Sequence, residues 1–248
     1  MDAIFGSSRA EYLYPILYDM HPQPENIFLF YQGGKGIDFL QHEAYSFLRS
    51  TADPTNCHIY FVAGLCDISY KDKIRNWGGQ YYEEVIFNES PDKTLDRMSN
   101  LIDNVAQNIL AMAAKPCFST IVPSNLRIWN NTRLNQNKTD FLLHHNYHED
   151  MQDIMNRTIL DVNKYINATN TSNNMVTPDM AKSIVEHRSG KRPRFHYDRF
   201  GDEKHPSDGV HPTPDLSQKW AKHLQRAINK NRRYDNPIKG KHTASFRL

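Results

Sequence analysis

Side chains that can act as nucleophiles, bases or hydrogen-bond donors occur in five short polar turns of this 248-residue chain. The turns are Gly6-Ser7-Ser8-Arg9, Gly33-Gly34-Lys35-Gly36, Gly64-Leu65-Cys66-Asp67, Ser124-Asn125 and Asp208-Gly209-Val210-His211. A serine hydroxyl becomes a useful nucleophile when an imidazole takes its proton, and a carboxylate can orient that imidazole and stabilise its charged form. The first and last turns together hold these three groups. Acyl transfer is therefore open to the chain if its fold brings the two turns together.

Short apolar runs precede the first four turns and predict the strands that position them. The runs cover 3–5, 26–31, 58–63 and 117–122, and a weaker one lies near 174–176. Continuous apolarity is typical of strands that are buried on both faces, as in a parallel sheet. Because ligands bind at the carboxyl edge of such sheets, we expect the polar turns to meet there.

Apolar stripes with helical spacing separate the predicted strands. They cover 37–48, 95–112, 151–166 and 216–228. The last stripe follows Thr213-Pro214-Asp215, which has the cap, proline and acid of a helix start. The alternation predicts one α/β domain over residues 1–231, a three-layer α/β/α sandwich around a five-stranded parallel sheet. Residues 232–248 are expected to form a basic, flexible tail.

Composition excludes several classes of protein. Lys and Arg number 30 against 28 Asp and Glu, so the net charge of +2 argues against a histone-like nucleic-acid binder. No apolar run is long enough for a membrane-spanning helix, and the first residues do not resemble a signal peptide. Cys57, Cys66 and Cys117 are too few for a disulfide framework. We therefore expect an intracellular, cytoplasmic protein, with a nuclear location left open.

The turns resemble, in order, the motif blocks of the SGNH (GDSL-type) hydrolase superfamily, over nearly the whole chain. This resemblance implies a flavodoxin-like fold and an esterase or acyl hydrolase that needs no metal or organic cofactor. It implies Ser8 as nucleophile, His211 as base and Asp208 as the group that orients the histidine. The substrate is expected to be a small molecule or an acylated polymer.

The resemblance also implies an oxyanion hole, and here the chain departs from the pattern. The backbone N–H groups of Ser8 and Gly34 would be donors, with Gly33 or Gly36 as alternatives. Cys66 replaces the third block's asparagine, and Ser7 replaces the first block's aspartate. A thiol is a weaker donor than an amide, so we expect reduced activity or another donor such as Asn125 or Ser7.

Three further residues are expected to contact substrate, namely Asp67, Asn125 and Trp77. Other interpretations remain open for some motifs: phosphate binding at the Gly33–Gly36 turn, metal binding by His144 and His148, or Cys66 as nucleophile. The rival hypothesis for the whole chain is a non-catalytic binding module for nucleic acid or a protein partner. Its contacts would come from a basic cluster of Arg188, Lys191, Arg192 and Arg194.

Overall fold

The computed structural model describes residues 1–21, 23–75, 81–86, 89–126, 128–129, 145–187, 189–191, 193–200 and 209–235. The strands are β1 Asp2–Gly6, β2 Ile27–Tyr31, β3 His58–Val62, β4 Tyr70–Arg75, β5 Tyr81–Ile86, β6 Lys115–Phe118, β7 Val185–Glu186 and β8 Arg194–Phe195. The helices are α1 Ser8–Glu11, α2 Tyr14–Met20, α3 Ile37–Ser50, α4 Leu65–Ile68, α5 Pro91–Ala111, α6 His145–Ser172 and α7 Pro214–Asp235. Short 3₁₀ turns lie at Pro24–Asn26, Pro54–Asn56, Ala181–Ser183 and Tyr197–Phe200. None of these helices combines the length and apolarity that spanning a bilayer requires.

The central sheet is parallel, with strand order β2-β1-β3-β6. Strand β1 pairs along its whole length with β2 on one side and β3 on the other. All residues of β1 and β3 are buried, which explains why residues 3–5 and 59–62 are apolar without alternation. The predicted α/β sandwich with a parallel sheet is confirmed. Strands β4 and β5 form a separate antiparallel hairpin, as do β7 and β8.

Two apolar cores cover the two faces of the sheet. Phe5, Phe61 and Phe118 point into one core, which α3, α5 and α6 complete. Ile4 and Tyr60 point into the other, which is completed by side chains of α2 and α7. Successive strand residues face opposite sides, so one apolar strand can supply both cores.

The predicted fifth strand near 174–176 is wrong, since these residues form no strand and four strands make up the sheet in the described ranges. Asn174 has a positive φ of 56°, which breaks an extended chain. The N–H of Val176 donates to the side-chain oxygen of Asn231 on α7 at 2.7 Å. Because this side chain takes the place of a ladder partner, the segment runs beside β6 without joining the sheet.

Side-chain amides on α6 also form hydrogen bonds with backbone groups at the end of β6 and just after it. Asn170 accepts from the N–H of Phe118 at 3.0 Å and donates to its carbonyl at 2.7 Å. Asn163 does the same for Ile121, at 2.6 and 2.8 Å. Buried backbone groups must be paired, and these amides supply the pairing without a strand. For this reason β6 ends at Phe118 rather than at Val122, where the apolar run ends.

Helix α7 begins as predicted, with the N–H of Leu216 donating to the hydroxyl of Thr213 at 3.3 Å. It continues to Asp235, past the predicted domain boundary at residue 231. The guanidinium of Arg232 pairs with the fully buried carboxylate of Asp2, which also contacts His58 Nδ1 at 2.9 Å. The first part of the predicted tail is therefore packed against β1. Residues 236–248 lie outside the described residues.

Candidate active site

Ser8 and His211 meet at the carboxyl edge of the sheet. The Nε2 atom of His211 lies 3.0 Å from the Oγ of Ser8, across a sequence separation of 203 residues. Both side chains are half-buried, so they can reach each other and a ligand. At this distance the imidazole can take the serine proton.

The end of β1 fixes the direction of Ser8. A Cβ atom at Gly6 would lie 2.0 Å from the Cβ of Ala10, so only glycine lets α1 begin so close to the strand. The N–H of Ser7 donates to the carbonyl of Val62 at 3.2 Å, which extends the pairing with β3 by one residue. Ser8 opens the helix, and its own N–H therefore has no intrahelical acceptor.

The loop that carries His211 depends on a glycine that no larger residue could replace. Gly209 has a φ of +79°, and a Cβ atom there would lie 2.6 Å from the carbonyl oxygen of Asn125. The N–H of Asn125 donates to the carbonyl of Gly209 at 2.8 Å. The histidine loop is thus attached to the segment that follows β6.

Two aromatic rings flank the imidazole of His211. The ring of Tyr12 lies 5.4 Å from it and that of Trp129 lies 6.4 Å away, centroid to centroid. Trp129 is buried, whereas Tyr12 is 43% exposed. Tyr12 is therefore the ring that a ligand can reach beside the histidine.

Of the glycines considered as oxyanion donors, Gly33 adjoins the serine. A Cβ atom at Gly33 would lie 3.7 Å from the Cβ of Ser8, whereas one at Gly34 would have no atom within 4 Å. Gly34 has a φ of +70°, which turns the chain toward α3. The N–H of Gln32 donates to the carbonyl of Gly6 at 3.0 Å and fixes the start of this turn beside β1.

Asp67 caps helix α3 across a gap of 30 residues. Its carboxylate accepts from the N–H of Ile37 at 2.7 Å and from that of Asp38 at 3.3 Å. A Cβ atom at Gly36 would lie 2.1 Å from this carboxylate, so the close approach requires glycine. Burial raises the pKa of Asp67 to about 6, although the two N–H donors favour its charged form. This carboxylate therefore holds the glycine turn, and its contact with substrate stays a prediction.

Cys66 lies on the short helix α4, directly after β3, and is exposed. Gly64 precedes it with a φ of +119°, where a Cβ atom would lie 2.5 Å from Ile121 Cδ1. The side-chain oxygen of Asn125, the suggested alternative donor, accepts from the N–H of Ile128 at 3.0 Å. The turns at 64–67 and 124–125 follow the carboxyl ends of the parallel strands β3 and β6, so both lie at the carboxyl edge of the sheet.

Several predicted residues lie outside the described part of the chain. They are Trp77, Arg188, Arg192 and Asp208, as well as His144 of the alternative metal interpretation. Their roles stay predictions. Lys191 is exposed three residues before β8, and Arg194, the first residue of β8, is exposed as well. Among the described residues, no three His, Cys, Asp or Glu side chains are close enough to hold a metal ion.

Solved structures share this architecture. A GDSL-like lipase from Bacteroides thetaiotaomicron is similar with a TM-score of 0.55, at 14% sequence identity, over 92% of this chain and 87% of its own. The chain has the SGNH (GDSL-type) hydrolase fold. A member of the lipolytic protein G-D-S-L family from Veillonella parvula is similar with a TM-score of 0.53, at 12% identity, over 92% of this chain and 98% of its own. Neither a sequence model of a protein family nor a curated protein matches the chain.

One residue of this SGNH fold went unrecognised in the sequence. Arg9 follows the serine directly and is 7% exposed. It stands four residues before Leu13 and eight before Leu17, both of them fully buried. No local pattern marks it, because α1 ends at Glu11 and α2 begins at Tyr14, so that no single helical stripe contains Arg9 and Leu17.

Proposed function

We propose that this protein is a serine acyl hydrolase that cleaves an ester through Ser8. The observation that carries the proposal is the 3.0 Å contact between Ser8 Oγ and His211 Nε2 at the carboxyl edge of the sheet. A second support is the similarity of the fold to GDSL-type lipolytic proteins. A fold hosts many activities, so the argument rests on the pair of side chains.

The contact supports a two-step reaction. His211 Nε2 takes the proton of Ser8 as the Oγ bonds to the carbonyl carbon of the ester. The imidazolium then gives this proton to the oxygen of the departing alcohol, which leaves an acyl group on Ser8. In the second step His211 takes a proton from water as the water oxygen attacks, and the acid product leaves with Ser8 restored. Asp208, three residues before the histidine, would orient its ring through Nδ1.

The oxyanion is expected to bind to backbone N–H groups. The N–H of Ser8 opens α1, and the Gly33 backbone adjoins it, which favours these two donors over Gly34. Loss of one donor costs about 3 kcal/mol of transition-state stabilisation. Cys66 offers a weak thiol donor where the family has an amide, so we expect slow turnover.

The substrate is expected to be an ester on a small molecule or a polymer. Tyr12 presents an exposed ring beside His211 and could pack against an apolar or ring-shaped part of that substrate. The chemistry of the acyl group is left to experiment.

The proposal is tested by hydrolysis of p-nitrophenyl acetate. Wild type should release nitrophenol above the buffer rate, whereas Ser8→Ala should not. Ser50→Ala is the matched control, because Ser50 is an exposed serine at the end of α3 that bonds the carbonyl of Phe47. Turnover that survives in Ser8→Ala would refute the proposal, as would a wild type that does not exceed buffer.

A second candidate function is binding of an anionic partner without catalysis. A cleft of about 620 Å³ lies between α6 and the described residues of 179–187 together with Pro193. Four basic side chains line it, namely Arg157, Lys164, Lys182 and His187, together with the carboxylates of Asp161 and Asp179. The lining also includes the apolar Leu160 and Val185. Because the basic side chains outnumber the acidic ones in this lining, a ligand with phosphate groups is the kind of partner that this candidate function requires.

A labelled 20-nucleotide single-stranded RNA tests this candidate. Binding that weakens as salt increases and is lost in an Arg157→Ala, Lys182→Ala double variant would favour the binding module. Lys230→Ala is the control, because Lys230 is exposed near the far end of α7. Equal binding by the control and the double variant would count against the cleft.

A further inference from the structure

Arg9 joins three parts of the site with one side chain. Its Nε donates to the carbonyl of Val210 at 2.9 Å, one residue before His211. Its second guanidinium nitrogen donates to the carbonyl of Val122, in the segment that follows β6. Its own backbone belongs to α1, directly after Ser8. The guanidinium thus links the helix of the serine to the loop of the histidine.

We propose that Arg9 is a positioning residue that holds the His211 loop in register with Ser8. The carbonyl of Val210 belongs to the peptide plane that leads into His211. Fixing that plane also fixes the direction in which the imidazole leaves the backbone. The proposal deepens the proposed function, since it names a residue on which the serine–histidine contact depends.

The surroundings of Arg9 hold its guanidinium in one orientation. The guanidinium carbon lies 5.5 Å from the ring of Phe200 and 5.7 Å from that of Trp220. Both aromatic side chains are fully buried, and Trp220 belongs to α7, which begins three residues after His211. Hydrogen bonds and cation–π contacts are strengthened where water is excluded.

Lysine cannot reproduce this arrangement. A guanidinium is a planar fork that donates in two fixed directions and stacks on aromatic rings, whereas an ammonium is a compact point charge. An Arg9→Lys variant keeps the charge and most of the aliphatic chain but cannot donate to both carbonyls in the same geometry. It should therefore loosen the histidine loop while leaving the sheet intact.

The control is Arg232→Lys, the same change at a half-buried arginine that also links two elements. Arg232 links α7 to β1 by pairing with the buried Asp2. This contact lies at the amino end of β1, the opposite edge of the sheet from Ser8. Arg232→Lys therefore carries a comparable structural cost without touching the histidine loop.

The first readout does not depend on catalysis. The ring of His211 is observed by NMR of histidine-labelled protein, with His211→Gln to assign its signals. We expect one sharp set of signals in wild type and in Arg232→Lys, and shifted or broadened signals in Arg9→Lys. Unchanged His211 signals in a folded Arg9→Lys would overturn the proposal, whether or not the protein is an enzyme.

The second readout is the rate of inactivation by a fluorophosphonate. Misplacement of a catalytic group by about 1 Å costs about 100-fold, so Arg9→Lys should react about 100-fold more slowly than wild type. Arg232→Lys should stay within about threefold. A slow Arg232→Lys with a fast Arg9→Lys would overturn the proposal. A wild type that ignores the probe would refute the proposed hydrolase, and the NMR result would still decide the role of Arg9.

A third variant covers the case in which Arg9→Lys does not fold. Phe200→Leu removes one aromatic wall and leaves Arg9 in place. It should broaden the His211 signals and slow inactivation about tenfold, because a guanidinium that has lost one aromatic wall holds the Val210 carbonyl less firmly. His211 signals like those of wild type in this variant would contradict the proposal.

Discussion

Replacing Asp67 with asparagine should change how the stability of this protein depends on pH. Burial raises the pKa of Asp67 to about 6 in the folded chain, from an ordinary value of 3.8. The folded chain therefore keeps this proton over a pH range in which the unfolded chain has released it. The free energy of unfolding must then fall as the pH rises from 4 to 6, and the contribution is constant above that range.

The magnitude follows from the difference between the two pKa values. A shift of about 2 units corresponds to about 3 kcal/mol, at about 1.36 kcal/mol per unit. Asparagine does not titrate, and its side-chain oxygen can still accept from the N–H of Ile37. The free energy of unfolding of wild type minus that of Asp67→Asn should therefore be about 2 kcal/mol larger at pH 4 than at pH 7, because at pH 4 the unfolded carboxyl has already released part of its proton.

Urea unfolding of both proteins at pH 4, 5, 6 and 7 measures this difference. Asp53→Asn is the matched control, because hydrogen bonds from Thr55 and Asn56 lower the pKa of that exposed carboxylate. Its contribution has the opposite sign, being present at neutral pH and lost in acid. A wild-type to Asp67→Asn difference that is the same at pH 4 and pH 7 would refute the argument from burial.

Two further substitutions test the loops of the site. Gly209→Ala should lower stability by about 2 kcal/mol or more and abolish turnover, because its φ is +79° and a Cβ atom would meet the Asn125 carbonyl. Gly190→Ala, at a φ of +66° in open space, is the control for thermal unfolding, and an equal loss in both would show that the clash is unimportant. Cys66→Asn should speed p-nitrophenyl acetate turnover about tenfold or more, since an amide is the better donor. An unchanged rate would place the oxyanion donor elsewhere.

The main strands could be predicted because burial on both faces leaves a clear sequence pattern. Strands β1, β2 and β3 coincide with apolar runs to within a residue at each end. The apolar run at 117–122 predicts a strand that extends past the observed end of β6. An apolar pattern carries no information about Asn163, whose side chain pairs with the backbone of Ile121 in place of a neighbouring strand. The fifth strand predicted near 174–176 fails for the same reason. The side chain that accepts from the N–H of Val176 belongs to Asn231, which lies 55 residues away in the sequence.

The site could be predicted in part. Topology brings the end of β1 and the start of α7 to one edge, so the contact between Ser8 and His211 follows from the order of the elements. Two other contacts of the site could not be predicted in this way, namely the cap that Asp67 forms on α3 and the hydrogen bond from Arg9 to Val210. Each depends on the direction of one side chain across 30 or 201 residues, and no local pattern encodes that direction.

The most direct test of the account is to locate a fluorophosphonate adduct by mass spectrometry. Trypsin should release the peptide Met1–Arg9, in which Ser7 and Ser8 are the only hydroxyl side chains. The account predicts a single adduct that fragmentation assigns to Ser8, formed at least about 10⁴-fold more slowly in His211→Gln. An adduct on Ser7 or on another residue, or equal labelling without the imidazole, would contradict it.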